Sequence, residues 1–373
     1  MRQTRALIRA GMDVTILSLT IRERKELGKL KEQAFRDLRI LPVLPNLPTA
    51  ILRESGSLIL SWGKISSHIN KIKPDIVHVH NPPDTLAFVT SLVCSMKNIP
   101  VVYDIHDGSR EVINAAEFNP VLKLIAGKVG FFFEQQTIKR SSGIVTISES
   151  LKTLLLETRK VFRKHKPPFV VMRNVDESAK VLMEKKSTEE QNYIFYSGTL
   201  YSKFIGIEFL IDCLEDLLKE GQTELYIAGE GPYRKSLEKY IKDKKVHESV
   251  KLLGHVGKND VMDLIARAKL TAIPYERNSL TEIALPNKLF EYMALGKPIV
   301  YPDLPGFREV LGDDNGGKYN PDDKKDLSMI VEKMLNSRKL RESVGEKNRE
   351  LLGKITFENE CSKLLALYRQ ILR

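Results

Sequence analysis

The chain reads as an α/β protein of two doubly wound, Rossmann-like units in series, with the ligand expected in a cleft between them. Three observations predict this. Its 373 residues exceed one typical hydrophobic core. Short apolar runs alternate with helical patterns through both halves, as parallel sheets covered on both faces require. A polar stretch over 176–192 separates the halves.

In the first half, strands are expected at 13–18, 75–80, 100–105 and 143–147, with helices notably at 84–97 and 120–140. The chain opens on a helical pattern, residues 2–10, which Gly11 ends. A doubly wound unit normally begins with a mid-sheet strand and a glycine-rich turn. The first unit is therefore expected to lack its first strand, and the upstream reading frame to encode one. In the second half, strands at 193–197, 223–228, 250–254, 270–274 and 298–301 alternate with helices near 206–220, 232–244, 259–268 and 287–295. The implied domains are 1–180 and 190–355, with a last helix over 356–373 packing back toward the first.

Residues 285–300, LPNKLFEYMALGKPIV, carry the most functional information. Pro286 suits a first helical turn and Gly296 the left-handed residue after the last. Leu289, Phe290 and Met293 form an apolar face, with Asn287, Lys288 and Glu291 on the other side. A lysine at a helix N-terminus opposes the helix dipole, a penalty that a bound diphosphate would reverse. The alternative is an exposed Lys288–Glu291 pair worth roughly 0.2–0.5 kcal/mol. Three earlier strand ends also carry glycine or polar turns: Gly198-Thr199-Leu200 followed by Lys203 and Gly206, then Ala228-Gly229-Glu230-Gly231-Pro232, then Leu253-Gly254-His255-Val256. Ligands of parallel α/β sheets bind at that edge.

Taken in this order, these motifs resemble the family 4 (group 1) glycosyltransferases, retaining enzymes of the GT-B fold. The likeness covers nearly all of 193–302. In the first half, Arg5 to Leu17, DIVHVH ending at His80 and VVYDIHD ending at Asp107 are similar to the family's early strands. The resemblance implies that Glu291 holds the donor ribose, that Pro286, Asn287, Lys288 and Leu289 form the helix start at the diphosphate, and that Gly198 lies beneath the phosphates. It places Glu230, Gly231, His255 and Val256 around the nucleotide and His106 near the transferred sugar. Thr199 stands where the family usually has arginine, and Lys203 is an approximate stand-in for a lysine that the family usually carries about seven positions further on. Ile283 replaces a usual glutamate, with Glu282 one position away.

The expected reaction is therefore transfer of a sugar from a nucleoside diphosphate to an acceptor hydroxyl, with retention. Lys288 and Lys203 would stabilise the leaving diphosphate, and the acceptor proton would pass to it. No cofactor or metal is expected: no Asp-x-Asp stands at a strand end, and Asp313-Asp314 falls in a polar loop. A non-catalytic binding partner and a nucleotide-sugar epimerase of the same fold are the alternatives.

Composition bounds the setting. A hydrophobic fraction of 42% with 29% charged residues describes a soluble globular chain. Cys94, Cys213 and Cys361 fit neither a disulfide framework nor a zinc site, so a reducing cytoplasm is expected. The net charge of +11 is uneven: residues 1–187 carry 30 Lys and Arg against 18 Asp and Glu. Nucleic acid is not expected as a partner, since no recognition-helix, zinc-finger or RNA-platform signature is present. An anionic membrane surface carrying a lipid-linked or envelope saccharide fits better. Basic and aromatic residues alternate over 120–140 (Phe131, Phe132 and Phe133 beside Lys123, Lys128, Lys139 and Arg140) and run together over 159–166.

Overall fold

Parallel strands with buried faces organise both halves. The computed structural model describes residues 2–18, 39–42, 50–115, 119–184, 189–313 and 315–373. Asp314 and part of the polar stretch 176–192 lie outside these. Two compact units result, one formed by 1–147, 151–172 and 358–373, the other by 148–150 and 173–357. The segment after residue 357, a helix Phe357–Ile371, thus belongs with the first unit.

In the first unit, β1 (Thr15–Ser18) pairs in parallel with β2 (Arg39–Pro42). A separate four-stranded parallel sheet runs β3 (Val77–His80), β4 (Val101–Ile105), β5 (Gly143–Thr146) and β6 (Phe169–Val171). Among the described residues no strand bridges β1 and β3. Every residue of β4 and β5 is buried, as expected for central strands covered by helices on both faces. The cover includes a long helix, Ala50–Ile72, packed on Asp84–Ser95, which in turn meets Pro120–Arg140. Asn119 caps the last of these: its Oδ1 accepts from Val121 N–H at 3.0 Å, with Pro120 next in line. One ion cluster is sealed inside. Arg159, fully buried, donates to Glu111 at 2.6 Å and to Glu134 at 2.7 Å. Glu134 also accepts from Ser109 N–H at 2.8 Å.

The helix Pro120–Arg140 departs from an ordinary core helix. Its C-terminal part buries Glu134, Thr137 and Ile138, whereas Val121, Leu122, Leu124, Ile125, Val129 and Phe132 are exposed.

In the second unit the sheet order is β12-β11-β10-β7-β8-β9, all parallel, from β7 (Gln191–Ser197), β8 (Glu224–Ala228), β9 (Val250–Gly254), β10 (Ala268–Ala272), β11 (Ile299–Pro302) and β12 (Lys318–Tyr319). Order reverses at β7, the first strand of this unit, which flanks β8 on one side and β10 on the other. Such a switch point opens a crevice at the strand C-termini. The helix expected over 206–220 is split at Leu214 (φ −106°, ψ 6°) into Ile207–Cys213 and Glu215–Lys219.

Candidate active site

Three turns at the C-terminal edge of the second sheet are bonded to one another in series. Gly198 N–H donates to Ala228 C=O at 2.9 Å, Leu200 N–H to Glu230 C=O at 2.9 Å, and Gly229 N–H to Gly254 C=O at 2.8 Å. Approach this close needs glycine. A Cβ on Gly229 would lie 1.9 Å from the Gly198 oxygen, and one on Gly231 2.1 Å from the Leu200 oxygen. The next turn is tied in through Glu276 N–H, which donates to Phe204 C=O at 3.0 Å.

Above these turns starts the helix Asn287–Ala294. Pro286 takes the cap position, one residue before the first turn, in extended backbone (φ −73°, ψ 142°). At the other end Gly296 is left-handed (φ 62°) and Lys297 N–H reaches back to Tyr292 C=O at 3.0 Å, the bond that closes a Schellman cap. Leu289, Phe290 and Met293 are buried as the apolar face. Tyr292 is buried too, and its Oη accepts from Ser197 N–H at 2.9 Å, which fastens the helix to the end of β7.

Lys288 does not lie on an exposed face. It is 9% exposed, with Nζ 3.8 Å from the Tyr196 ring centroid and 5.4 Å from that of Tyr275. This overturns the alternative of an exposed Lys288–Glu291 pair. Burial pushes the amine down to about 7, opposed by the Glu291 charge; the Tyr196 face also favours the cation. Gly198 makes the space: a Cβ there would stand 2.5 Å from Lys288 Nζ, and its φ of 146° excludes an ordinary side chain in any case. The result is a poised ammonium at a helix N-terminus whose first turn holds no acidic residue, an arrangement that favours an anion.

The remaining expected residues divide. Thr199, Glu230 and His255 are exposed at these strand ends and Asn287 at the helix start, while Gly231 and Val256 in the turns, Pro286 at the helix cap and Glu291 on the helix are partly so. Glu230 Oε1 contacts Arg234 and comes within 2.9 Å of where a Gly254 Cβ would be. Lys203 and Glu282 are engaged elsewhere. Lys203 Nζ lies 3.2 Å from Glu208, whose hydrogen bond raises its pKa, and Glu282 lies 3.5 Å from Arg277. Ile283, at the position of the usual glutamate, is buried. Tyr196 and Tyr275, which set the environment of Lys288, are not signalled by any motif.

In the first unit, His106 follows β4 and is part-exposed. Its N–H donates to Asn81 Oδ1 at 2.8 Å, and Asn81 Nδ2 donates to Asp107 C=O at 2.6 Å, joining the ends of β3 and β4. His106 Nε2 lies 3.3 Å from His80 Nδ1 and 3.5 Å from Asp104 Oδ1. Burial opposes ionisation of Asp104, yet the surrounding imidazoles hold its carboxyl well below the usual range.

Both halves match known families. Residues 179–351 match the model of glycosyl transferases group 1, and residues 1–167 that of glycosyltransferase family 4. The chain belongs to the group 1, family 4 glycosyltransferases, and its fold is that of the GT-B enzymes. It is similar to the alpha-D-kanosaminyltransferase of Streptomyces kanamyceticus, with 22% identity over 352 residues covering 89% of this chain and 88% of the relative. Among solved structures, sucrose-phosphate synthase from Thermosynechococcus elongatus superposes with a TM-score of 0.74 at 14% identity, over 99% of this chain and 92% of that one. S. aureus TarM, solved with UDP bound, superposes at 0.65 and 16% identity, over 83% of this chain but only 59% of TarM.

Proposed function

We propose that the protein transfers a glycosyl group from a nucleoside-diphosphate sugar to an acceptor hydroxyl with retention at the anomeric carbon. The observation that carries this is Lys288, buried beneath Gly198 on the first turn of a helix whose positive dipole end favours an anion. The bond from C1 to the diphosphate oxygen breaks as the bond from C1 to the acceptor oxygen forms. The acceptor proton passes to the leaving diphosphate. Charge separation is the barrier, so fixed donors aimed at the diphosphate supply the main stabilisation. Lys288 and the positive end of the helix dipole at Asn287 and Lys288 fill that role without a metal, Leu289 N–H being already given to Pro286 C=O at 3.0 Å. Glu291 binds the ribose hydroxyls, and Glu230, Gly231, His255 and Val256 border the base. His106 is the residue of the first unit that we assign to the sugar. Lys203 serves the diphosphate only after giving up Glu208, and Glu282 the sugar only after giving up Arg277, so both are secondary.

The acceptor we infer is a lipid-linked saccharide on an anionic cytoplasmic membrane face. Support comes from the exposed Val121, Leu122, Leu124, Ile125, Val129 and Phe132 beside Lys123 and Lys128, and from the excess of basic residues in the first half. Apolar contact with added lysines is how a helix binds the interface of an anionic bilayer, at roughly 1 kcal/mol per basic residue near the surface. No helix among the described residues is long and apolar enough to cross a membrane.

Calorimetry with UDP- and GDP-sugars tests the donor reading, and anomeric coupling constants of the product by NMR test retention. Binding to none of the donors overturns the assignment, and an inverted product overturns the mechanism. Sedimentation with phosphatidylglycerol vesicles but not phosphatidylcholine vesicles, lost in Ile125→Glu, is expected for the membrane reading. Equal sedimentation of wild type and variant overturns it.

A further inference from the structure

Beside His106 the first unit holds a cluster of chemistry-bearing groups to which the proposed transfer assigns no role. On β3, His78 and His80 point to one face because they are two residues apart. Their rings stack with centroids 4.7 Å apart. The parallel register sets His80 opposite Asp104 of β4. His78 Nε2 then lies 3.3 Å, and His80 Nδ1 3.2 Å, from Asp104 Oδ2, and one donor atom from each of the three lies within 4.8 Å of the others. A tetrahedral ion with bonds of 2.0–2.1 Å needs ligand atoms roughly 3.3 Å apart. Two of the three edges already have that length.

The surroundings favour a cation over a plain hydrogen-bond network. Asp104 is 1% exposed, and its ion-pair partners among the described residues are imidazoles, with no lysine or arginine. Buried carboxylates are ordinarily paired or bound to metal. Oδ2 is crowded, accepting from Gln3 Nε2 at 2.6 Å as well as facing both histidines. Oδ1 is buried and faces the His106 imidazole at 3.5 Å. The outer contacts are those that orient metal ligands: His78 Nδ1 meets Tyr368 Oη at 2.7 Å, and Gln3 holds the carboxylate.

We propose that His78 Nε2, His80 Nδ1 and the Asp104 carboxylate bind a divalent cation of the zinc class, leaving a coordination position open beside His106. Two imidazoles and one carboxylate suit zinc and its late first-row neighbours, not magnesium or calcium, which prefer oxygen. Three protein ligands leave a place for water or a substrate oxygen. The site departs from the expectation that no metal is bound, which rested on the lack of an Asp-x-Asp at a strand end and on Asp313-Asp314 falling in a polar loop. It stands independently of the donor reading, because all three of its ligands belong to the first unit.

The test is calorimetric titration of the chelator-treated full-length chain with zinc chloride and, separately, magnesium chloride. Cobalt(II) absorption serves as the spectroscopic probe. Expected are one zinc per chain, no comparable magnesium binding and the intense visible bands of four-coordinate cobalt. Asp104→Asn and His80→Ala should each weaken zinc binding about 100-fold, while the exposed-histidine control His247→Ala should leave it unchanged. His80 is half exposed, so His80→Ala decides the matter if Asp104→Asn fails to fold. Absence of stoichiometric zinc binding overturns the proposal. So does zinc binding that His80→Ala leaves intact, or magnesium binding of equal strength.

Discussion

Adding a nucleoside diphosphate to the free protein at pH 8 should draw close to one proton from solution per chain. Lys288 is held near 7 by burial, so at pH 8 about nine in ten of these amines are neutral. A diphosphate at the helix N-terminus restores the ammonium by charge attraction. Uptake should be about 0.9 proton at pH 8, about half a proton at pH 7 and about 0.1 at pH 6. Affinity should fall about tenfold per pH unit above pH 7, until the bound amine itself titrates. Phosphate ionises near pH 6, so the nucleotide supplies none of this signal at pH 8. Calorimetry in two buffers of equal pH and different ionisation enthalpy measures the proton count directly. A companion signature appears without ligand. The folded amine is depressed from 10.5 to about 7, so the unfolded chain binds more protons between those values. Stability is penalised in full below pH 7 and recovers as pH rises toward 10.5, by up to about 5 kcal/mol. Lys288→Met should abolish both effects. Near-zero uptake at pH 8, or the same uptake in Lys288→Met, would refute the reasoning.

Three further outcomes follow from packing. Gly198→Ala should cost about 1–3 kcal/mol from its left-handed backbone alone and also displace Lys288; unchanged melting and UDP affinity would contradict the contact at 2.5 Å. Arg159→Met should lower stability by about 3–5 kcal/mol in urea titrations, because two buried carboxylates lose their partner. Much of that loss should return when Glu111→Gln and Glu134→Gln are added, and no recovery would mean the arginine acts by packing alone. Lys203→Ala should change donor kcat/KM by less than about 1 kcal/mol, the range of exposed ion pairs, whereas Lys288→Met should cost several times more. The reverse ranking would exchange their roles.

Much of the second unit was legible because its strands are apolar runs that end in glycine, and because the helix from Asn287 carries clear start and stop residues. The burial of Lys288 was not. Helical periodicity puts it with Asn287 and Glu291 on the polar side, and only the arrival of Tyr196 from β7 and Tyr275 from the turn after β10 covers it. Strands β6 and β12 have three and two residues, too few for a period to register, and were missed, as was β2, whose apolar run is broken up by prolines at 42, 45 and 48. His78 and His80 could be seen as a pair two apart. Their meeting with Asp104 depends on strand register, which no local pattern encodes. The exposure of Val121 to Phe132 was half legible: the sequence showed aromatics beside lysines but not which face the neighbouring helix would cover.

The serial bonding of the turns after β7, β8 and β9 bears on how this protein could diversify. Surface loops usually accept insertions freely, but here the turns after β7 and β8 each take a backbone partner from the next turn, and at Gly229 and Gly231 the approach tolerates no Cβ. A residue added to one turn would misalign all three. Changes of donor preference should therefore arise by side-chain replacement at exposed positions on this frame, such as Thr199, Glu230 and His255, with turn length staying constant across variants that recognise different sugars.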